Sequence, residues 1–338
     1  MAVTLKQIAE MAGVHKSTVD KVIHNRPGVS DEVRLKIRRL LEEQGYSSNP
    51  LAKALNYQKN KMSVAVVLTR VDALEELQCG IQSVQPDYDS FNLEMQYHVL
   101  DYADEEAQRR CLRELCRSDV SGVVIGPVES PAIAQEVNAL EEAGIPTVTL
   151  NSDLEGSHRL CFVGCDELKG GRAAARLMSL LLARAGQIGI LTSTIPAVRE
   201  RTQGFVRHIQ DRFPGILAVD VLNTNEDAET AYQLTCELLH RQPQLDGLFI
   251  ACGCVPDICR AVRDCGRAGQ LTVVCFERYP AIVELVHRGE VSCTISGSLF
   301  GQGQRAMRLL FEYLVYGKPP EQERIYLSNE ILLAENID

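Results

Sequence analysis

The apolar residues of the first 45 positions recur at helical spacing, as Leu5, Ile8 and Ala9 illustrate. Thr4 stands three residues before Gln7, which is the spacing of a capping box at a helix start. The pattern predicts three short helices, which end at Gly13, cover 16–24 and cover 31–44. These segments form an all-α head.

Beyond residue 61 the pattern changes to short apolar runs that alternate with helix-like stretches. The runs are MSVAVVL (62–68), GVVIGPV (122–128), IPTVTLN (145–151), QIGILTS (187–193), GLFIAC (247–252) and LTVVCF (271–276). Continuous apolar runs indicate strands that are covered on both faces, and strand–helix alternation indicates parallel sheets. Because the runs form two sets, we predict an α/β core of two doubly wound parallel-sheet lobes.

The domain prediction follows from these changes of pattern. The head covers 1–46, a linker covers 47–61 and the core covers 62–338. Asn49-Pro50 in the linker fits a helix start, but a helix of two turns needs a partner to be stable. The tail after Gly289 has too few strands for a lobe of its own. We therefore assign 62–162 and 293–320 to the first lobe, and 163–290 and 321–338 to the second.

Charge distinguishes the head from the core. The 338-residue chain has a net charge of −10, yet residues 1–61 contain eleven Lys or Arg and six Asp or Glu. A basic head on an acidic body indicates that the head contacts a polyanion. The sequence has no apolar run of membrane-spanning length and no signal-peptide pattern. We therefore expect a cytoplasmic protein with no membrane partner, whose twelve cysteines are free thiols.

Two helices joined by a tight glycine turn on a basic segment are typical of a helix-turn-helix domain. The second helix presents polar side chains that can bond guanine edges or phosphates, namely Lys16, Ser17, Thr18 and Lys21. DNA binding is the favoured interpretation, and the alternative is a three-helix interaction domain with solvated lysines.

The segment from TLKQIAEMAGVHKSTVDKVIHNRPGVS to GYSSNPLAKAL resembles the DNA-binding head of the lactose-repressor (LacI/GalR) family, through AGV, STV, GVS, GY and NPLAKAL. The core resembles the family's ligand-binding core, which is similar to periplasmic sugar-binding proteins. The resemblance implies that Lys16, Ser17 and Lys21 enter the major groove. It also implies that the linker becomes a hinge helix on DNA, with Leu55 wedged into the minor groove and Ala52 beside it.

Two departures from the family pattern indicate an unusual operator. His15 stands where a serine N-cap is common, which costs about 1 kcal/mol of capping but offers a phosphate contact. Asp20 replaces a small polar residue and can accept a hydrogen bond from a cytosine amine. The predicted DNA-contacting residues are Thr4, His15, Lys16, Ser17, Thr18, Lys21, Asn25, Tyr46, Asn49, Ala52 and Leu55.

Doubly wound lobes bind ligands at the carboxyl ends of their strands, so we expect an inter-lobe cleft to hold a small ligand. The resemblance implies that Arg199 in RERTQGF, Asn151 and Glu277 contact it. Their alternative roles are a surface salt bridge, a turn and a solvated strand end. Glu226 stands where many members have an aromatic ring, and Gly297 where a glutamine is common. The predicted ligand-binding residues are Asp72, Gly126, Asn151, Arg199, Glu226, Cys252, Glu277 and Gly297.

The sequence contains no complete nucleotide-binding unit, zinc-ligand spacing or catalytic constellation, so we predict no cofactor, no metal and no enzymatic activity. We interpret the chain as a sequence-specific transcription regulator, expected to be a repressor. It would act as a homodimer on a pseudo-palindromic double-stranded DNA operator, under control of a sugar-like or cyclitol-like effector. The alternatives are an activator or dual regulator, an enzyme fused to a DNA-binding head, and a pure binding protein.

Overall fold

The computed structural model describes residues 5–23, 29–44, 62–70, 74–101 and 104–337. The helices are α1 (Leu5–Ala12), α2 (Lys16–Ile23), α3 (Asp31–Glu43), α4 (Leu74–Gln82), α5 (Glu105–Leu115), α6 (Pro131–Glu142), α7 (Glu167–Leu181), α8 (Pro196–Arg212), α9 (Ala228–Arg241), α10 (Val255–Asp264), α11 (Pro280–His287) and α12 (Leu299–Tyr316). The strands are β1 (Met62–Arg70), β2 (Leu93–Asp101), β3 (Gly122–Ile125), β4 (Thr147–Leu150), β5 (Cys161–Cys165), β6 (Gly186–Thr192), β7 (Ile216–Asn223), β8 (Gly247–Ile250), β9 (Thr272–Phe276), β10 (Cys293–Ser296), β11 (Arg324–Leu327) and β12 (Glu330–Leu332).

The three predicted helices of the head are confirmed. Their apolar faces form a small core of their own, made of Ile8, Ala9, Ala12, Val19, Val22 and Ile37. Gly13 makes the turn between α1 and α2 with a φ of 70°, a left-handed conformation that glycine adopts without strain. Lys36 Nζ donates to the Ala12 carbonyl at 3.0 Å, so α3 also satisfies the end of α1.

The core contains two six-stranded sheets, as the two sets of apolar runs predict. The first sheet has the order β11-β5-β4-β3-β1-β2, and the second has the order β12-β10-β9-β8-β6-β7. In both sheets the first strand along the chain pairs in parallel with the second and third, which is the doubly wound arrangement. The only antiparallel addition with a described register is β12 on β10.

The chain forms two compact units, which differ from the predicted lobes in the tail. The first unit comprises Met1–Leu74, Gln78–Val163 and Gly303–Arg324, and the second comprises Glu75–Leu77, Gly164–Gln302 and Ile325–Asp338. The prediction assigned 293–320 to the first lobe and 321–338 to the second. The difference concerns β10, which extends the second sheet because it pairs in parallel with β9 after the α11 crossover, whereas residues 303–320 lie in the first unit and 325–338 in the second. The strand β11 begins at Arg324, where the first unit ends, and pairs into the first sheet.

The strands after residue 290 are so short that the pattern of apolar residues cannot indicate which sheet they join. This explains why the prediction and the structure differ in the tail. None of the helices in the described part of the chain has the length and apolar character that crossing a bilayer requires.

Candidate functional site

A buried ion-pair network lies at the carboxyl edge of the second sheet, within the second unit. Its centre is Arg201 of α8, which is 7% exposed. Arg201 Nε donates to Glu167 Oε2 at 2.8 Å, and Nη2 donates to Glu277 Oε1 at 3.0 Å. Its Nη1 donates to the Ala251 carbonyl, just beyond β8, at 3.2 Å. One guanidinium therefore ties together the segments that follow β8 and β9.

The close approach of α7 and α8 positions this arginine. A Cβ at Gly204 would lie 2.3 Å from the Leu168 carbonyl oxygen, and one at Gly171 would lie 2.0 Å from the Arg201 carbonyl oxygen. These distances are too short for any side chain, so glycine at both positions lets the two helix backbones touch. The contact brings Arg201 against Glu167 in the first turn of α7.

Arg201 keeps its positive charge in spite of burial. Burial alone would lower the pKa of Arg201, but the carboxylates of Glu167 and Glu277 raise it above its ordinary value. The guanidinium also stacks on the Phe276 ring, 3.8 Å from its centroid. Burial raises the pKa of Glu277, and Arg201 opposes that rise. One cation thus faces two carboxyl groups, so the network does not present a free positive charge.

Glu277 is the member of the network that reaches solvent. It follows β9 directly, with a left-handed φ of 78°, and its side chain is 31% exposed. Left-handed backbone is uncommon for a residue with a side chain and clusters at functional sites. The geometry therefore presents a hydrogen-bond acceptor at the end of a central strand, held in place by Arg201.

A further carboxylate, that of Glu226, lies on the same edge. Glu226 follows β7 with a φ of 56°, and its Oε2 accepts a hydrogen bond from the Gly253 amide at 2.9 Å. Its Oε1 is buried and has no hydrogen-bond partner among the described residues. The Tyr279 hydroxyl donates to the Gly253 carbonyl at 3.0 Å, so Gly253 connects Glu226 to Tyr279.

The predicted residues of the second unit all come after strands of the second sheet, but they differ in the contacts that they make. Cys252 is buried within the segment 251–254, and Glu226 accepts a hydrogen bond from that segment's Gly253 amide. Glu277 is connected to the segment through Arg201, which also donates to the Ala251 carbonyl. Arg199 is exposed on α8 and does not belong to the Arg201 network. The Gly297 carbonyl accepts from Cys165 Sγ at 3.2 Å and from Gln302 Nε2 at 3.0 Å.

The close approach of Cys165 explains why position 297 is a glycine rather than the glutamine that is common in the family. A Cβ at this position would lie 2.8 Å from Cys165 Sγ, so the glutamine common in the family would not fit without movement of that thiol.

In the first unit, two predicted residues follow neighbouring strands. Gly126 comes after β3, and its carbonyl accepts from the buried Gln108 amide at 3.2 Å. Asn151 comes after β4, is exposed and has a left-handed φ of 65°. Asp72, predicted to follow β1, lies outside the described residues. Asp153 is used by the buried Arg159, whose Nη2 donates to its Oδ2 at 2.7 Å.

Five of the predicted DNA-contacting residues lie within the described ranges. His15 directly precedes α2, and the other four are part of that helix, namely Lys16, Ser17, Thr18 and Lys21. The His15 carbonyl accepts from the Thr18 amide at 2.8 Å, so the helix begins there. His15 and Lys21 are exposed and Thr18 is half-buried, while Lys16 and Ser17 occupy the first turn. The remaining predicted residues lie outside the described ranges, namely Thr4, Asn25, Tyr46, Asn49, Ala52 and Leu55.

Sequence reasoning missed Arg201 and Glu167. The available signal was the helical phase of α8, because Val198, Phe205 and Ile209 form its buried stripe and Arg201 falls in that stripe. A charged residue at an apolar position needs a buried partner, which is what the structure provides. Among the described residues, no cluster of three or more His, Cys, Asp or Glu is arranged to hold a metal ion.

A helix-turn-helix head joined to doubly wound units with polar strand ends defines a class of DNA-binding regulators built on a ligand-binding core. Comparison with protein families agrees with this class. Residues 4–49 match the bacterial regulatory proteins of the lacI family, and residues 75–319 match the periplasmic binding protein domain. The chain belongs to the LacI/GalR family of DNA-binding transcription regulators, with a core of the periplasmic binding protein type.

The proteins to which this chain is similar include both DNA-binding regulators and sugar-binding proteins. The HTH-type transcriptional regulator GntR of Pseudomonas aeruginosa is 26% identical over 343 residues, which cover 98% of this chain and 95% of that protein. The D-ribose/D-allose-binding protein of the same organism is 27% identical over 239 residues, which cover 67% and 73%. The structure of AraP, an arabinose-binding protein from Geobacillus stearothermophilus, has a TM-score of 0.73 at 23% identity, covering 82% and 98%.

Proposed function

We propose that this regulator is a repressor that binds a pseudo-palindromic duplex operator as a homodimer and responds to a small effector. Residues 1–46 contact DNA, 47–61 form the hinge and 62–338 bind the effector and the second subunit. A two-fold symmetric operator is the counterpart of a two-fold symmetric dimer. Such a protein acts in the cytoplasm, where the chromosome lies. The family assignment and the separate core of α1–α3 support this proposal.

The effector is a neutral, polyhydroxylated molecule, a sugar or a cyclitol. The observation that carries this choice is the Arg201 network, in which each of the three guanidinium nitrogens already donates to the protein. With Glu167 and Glu277 on the same cation, the edge disfavours a carboxylate or phosphate and favours hydroxyl donors. The similarity to a D-ribose/D-allose-binding protein supports the same class.

The roles of individual residues follow from their exposure. Glu277 and Glu226 accept hydrogen bonds from effector hydroxyls, and Arg201 positions Glu277 rather than binding the effector itself. Asn151, which is exposed after β4, is the predicted ligand-binding residue that follows a strand of the first unit. The predicted Asp72, Gly126, Arg199, Cys252 and Gly297 complete the candidate set.

A thermal-shift comparison with the full-length protein tests the effector class. D-ribose, D-allose and myo-inositol represent neutral polyols, and D-gluconate represents an anion of similar size. A neutral polyol present at 100 times its Kd should add about 2.7 kcal/mol to the free energy of unfolding. Glu277→Gln should abolish the shift, and Arg207→Met, a change at an exposed position of α8 outside the candidate set, should retain it. Stabilisation by D-gluconate alone would contradict the proposed class.

A further inference from the structure

The connection between β4 and β5 in the first unit, residues 151–160, contains no helix and is held by a buried arginine. Parallel neighbours in a sheet are usually joined through a helix, which packs the connection against the sheet. Here Arg159, which is 7% exposed, fixes the connection instead. Its Nη2 donates to Asp153 Oδ2 at 2.7 Å, and its Nε donates to Asp153 Oδ1. This bidentate pair ties the end of the connection to its beginning.

The same guanidinium holds the last residues of the first unit, which ends at Arg324. Arg159 Nη1 donates to Glu323 Oε1 at 3.0 Å. Arg324 Nε lies 3.0 Å from Asp153 Oδ2. The Glu323 carbonyl accepts from the Phe162 amide at 2.8 Å, so this segment lies beside β5. Two acidic and two basic side chains therefore form a four-charge clamp, made of Asp153, Arg159, Glu323 and Arg324.

The four-charge clamp is buried at its centre and exposed at its rim. Burial lowers the pKa of Arg159, but its hydrogen bonds to Asp153 and Glu323 raise that pKa above its ordinary value. At the rim, the Glu323 side chain is 74% exposed and the Arg324 side chain is half exposed. A buried guanidinium that loses its partners is costly, whereas an exposed carboxylate is not. The rim can therefore be changed while the centre stays paired.

Asn151 lies in the chain between the first sheet and the four-charge clamp. Its amide donates to the Val163 carbonyl at 3.0 Å, which fixes it against β5. Two residues later, Asp153 Oδ1 accepts from the Leu154 amide at 2.8 Å. Asn151 itself has a left-handed φ of 65°, a conformation that asparagine adopts more readily than most residues. Because both flanks are held, the backbone of Asn151 is set by the position of Asp153.

We propose that Arg159 is a positioning residue for Asn151, and that the four-charge clamp links the position of Asn151 to the end of the first unit. A displacement of Glu323 reaches Asp153 through the Arg159 guanidinium, and Asp153 is two residues from Asn151. The consequence for effector binding rests on the proposed function, in which Asn151 belongs to the candidate set. Effector affinity then depends on residues 323 and 324, which are more than 150 positions away in the sequence.

Amide hydrogen exchange of the full-length protein, followed by NMR, tests the clamp without any effector. Glu323→Ala removes an exposed member of the clamp and leaves Arg159 paired with Asp153. The Leu154 amide should then exchange about fivefold faster, the change expected for the loss of one ordinary hydrogen bond. Glu321→Ala is the matched control, because position 321 is exposed and lies outside the clamp. Unchanged exchange of the Leu154 amide in Glu323→Ala would overturn the proposal.

Variants at the centre of the clamp distinguish positioning from a purely structural role. Arg159→Met should accelerate exchange of the Leu154 amide more than Glu323→Ala does, and Arg159→Lys, which keeps the charge, should recover part of the protection. The Gly126 amide, which donates to the Val67 carbonyl at 2.9 Å in the same sheet, reports the stability of the unit. Equal acceleration at both amides would overturn the positioning role. If Arg159→Met does not fold, the Glu323→Ala result decides.

Titration with D-allose separates this inference from the proposed function. Glu323→Ala should weaken the affinity for this sugar about fivefold, in step with the faster exchange of the Leu154 amide, and Glu321→Ala should leave it unchanged. Unaltered affinity in Glu323→Ala together with faster exchange would overturn the role of Arg159 in positioning Asn151. Failure of the wild type to bind D-allose counts against the effector class, and the exchange readout still decides the clamp.

Discussion

At the scale of single residues, Arg201 decides how the carboxyl edge of the second sheet is built. It is a buried cation with two carboxylate partners, one carbonyl partner and an aromatic ring beneath it. Removal of a buried cation leaves its carboxylates without compensation, which costs more than the ion pair contributes. Arg201 is therefore a positioning residue with a large effect on stability.

Arg201→Met should lower the free energy of unfolding by about 3–5 kcal/mol, because Glu167 and Glu277 lose their partner in a buried site. Urea unfolding of the purified variant measures the change. Arg199→Met is the matched control on the same helix, since Arg199 is exposed, and should stay within about 0.5 kcal/mol of the wild type. Equal losses in both variants would show that the network does not stabilise the edge.

Arg199 and Arg201 also show how much of the candidate site could be predicted from the sequence. The resemblance to RERTQGF pointed to Arg199, whereas the structure brings Arg201 to Glu277, which follows β9 as the sequence predicted. The partner Glu167 is 110 positions before Glu277 in the chain, and only the α7–α8 contact brings the two near one arginine. Strand-end residues were predictable from parallel-sheet topology, but pairings across helices were not.

At the scale of elements, the glycine contact between α7 and α8 keeps Arg201 in reach of Glu167. Gly204→Ala places a Cβ 2.3 Å from the Leu168 carbonyl oxygen, a backbone atom that cannot move alone. We expect a loss of about 1–3 kcal/mol in the free energy of unfolding. Gly126→Ala serves as the control, because its nearest neighbour would be the Leu68 side chain at 3.7 Å, an ordinary contact. A fully stable Gly204→Ala protein would contradict the close approach of the helices.

The end of α6 contains a carboxyl group whose ionisation opposes folding. Glu141 Oε1 accepts from the Thr147 amide at 2.6 Å, and burial raises its pKa from 4.5 to about 7. Because the folded state holds this proton more tightly than the unfolded state, the contribution of Glu141 to stability is full below pH 4.5. It is lost as the pH rises to about 7.

Glu141→Gln should therefore gain stability relative to the wild type as the pH rises from 5 to 8, since glutamine retains the acceptor and cannot ionise. Urea midpoints at both pH values measure this difference. Glu142→Gln, on the exposed neighbour, should follow the wild type at both. A constant difference between Glu141→Gln and the wild type across the pH range would show that Glu141 ionises as freely in the folded state.

Burial and length decide which strands could be predicted from the sequence. The six apolar runs correspond to β1, β3, β4, β6, β8 and β9, which are covered on both faces. The strands β2 and β7 lie at sheet edges and carry exposed residues along their length, so their sequences lack the continuous apolar signal. The tail strands β10, β11 and β12 have only three or four residues each.

At the scale of the whole molecule, a basic head and an acidic core share one chain, and 47–61 is the predicted linker between them. A short helix of two turns is unstable without a partner, so DNA and a second subunit would have to supply one. This coupling would let an effector act on operator affinity with only about 1–3 kcal/mol of free energy. The role of Leu55 within that linker stays a prediction from the family resemblance.

Leu55→Ala should weaken binding to a specific operator far more than binding to unrelated duplex, because a minor-groove wedge acts only where the base step bends. Fluorescence anisotropy with both duplexes at one salt concentration measures the ratio. Leu35→Ala, a change at an exposed position of α3, should leave that ratio unaltered. Similar losses on the two duplexes would exclude a wedge.

The most direct measurement is a selection of bound fragments from genomic DNA by the full-length protein at about 0.15 M salt, where non-specific attraction is screened. Sequencing of the retained fragments should reveal one strongly enriched motif whose two halves are related by approximate two-fold symmetry. Retention of all fragments in proportion to their length would contradict sequence-specific regulation by this protein.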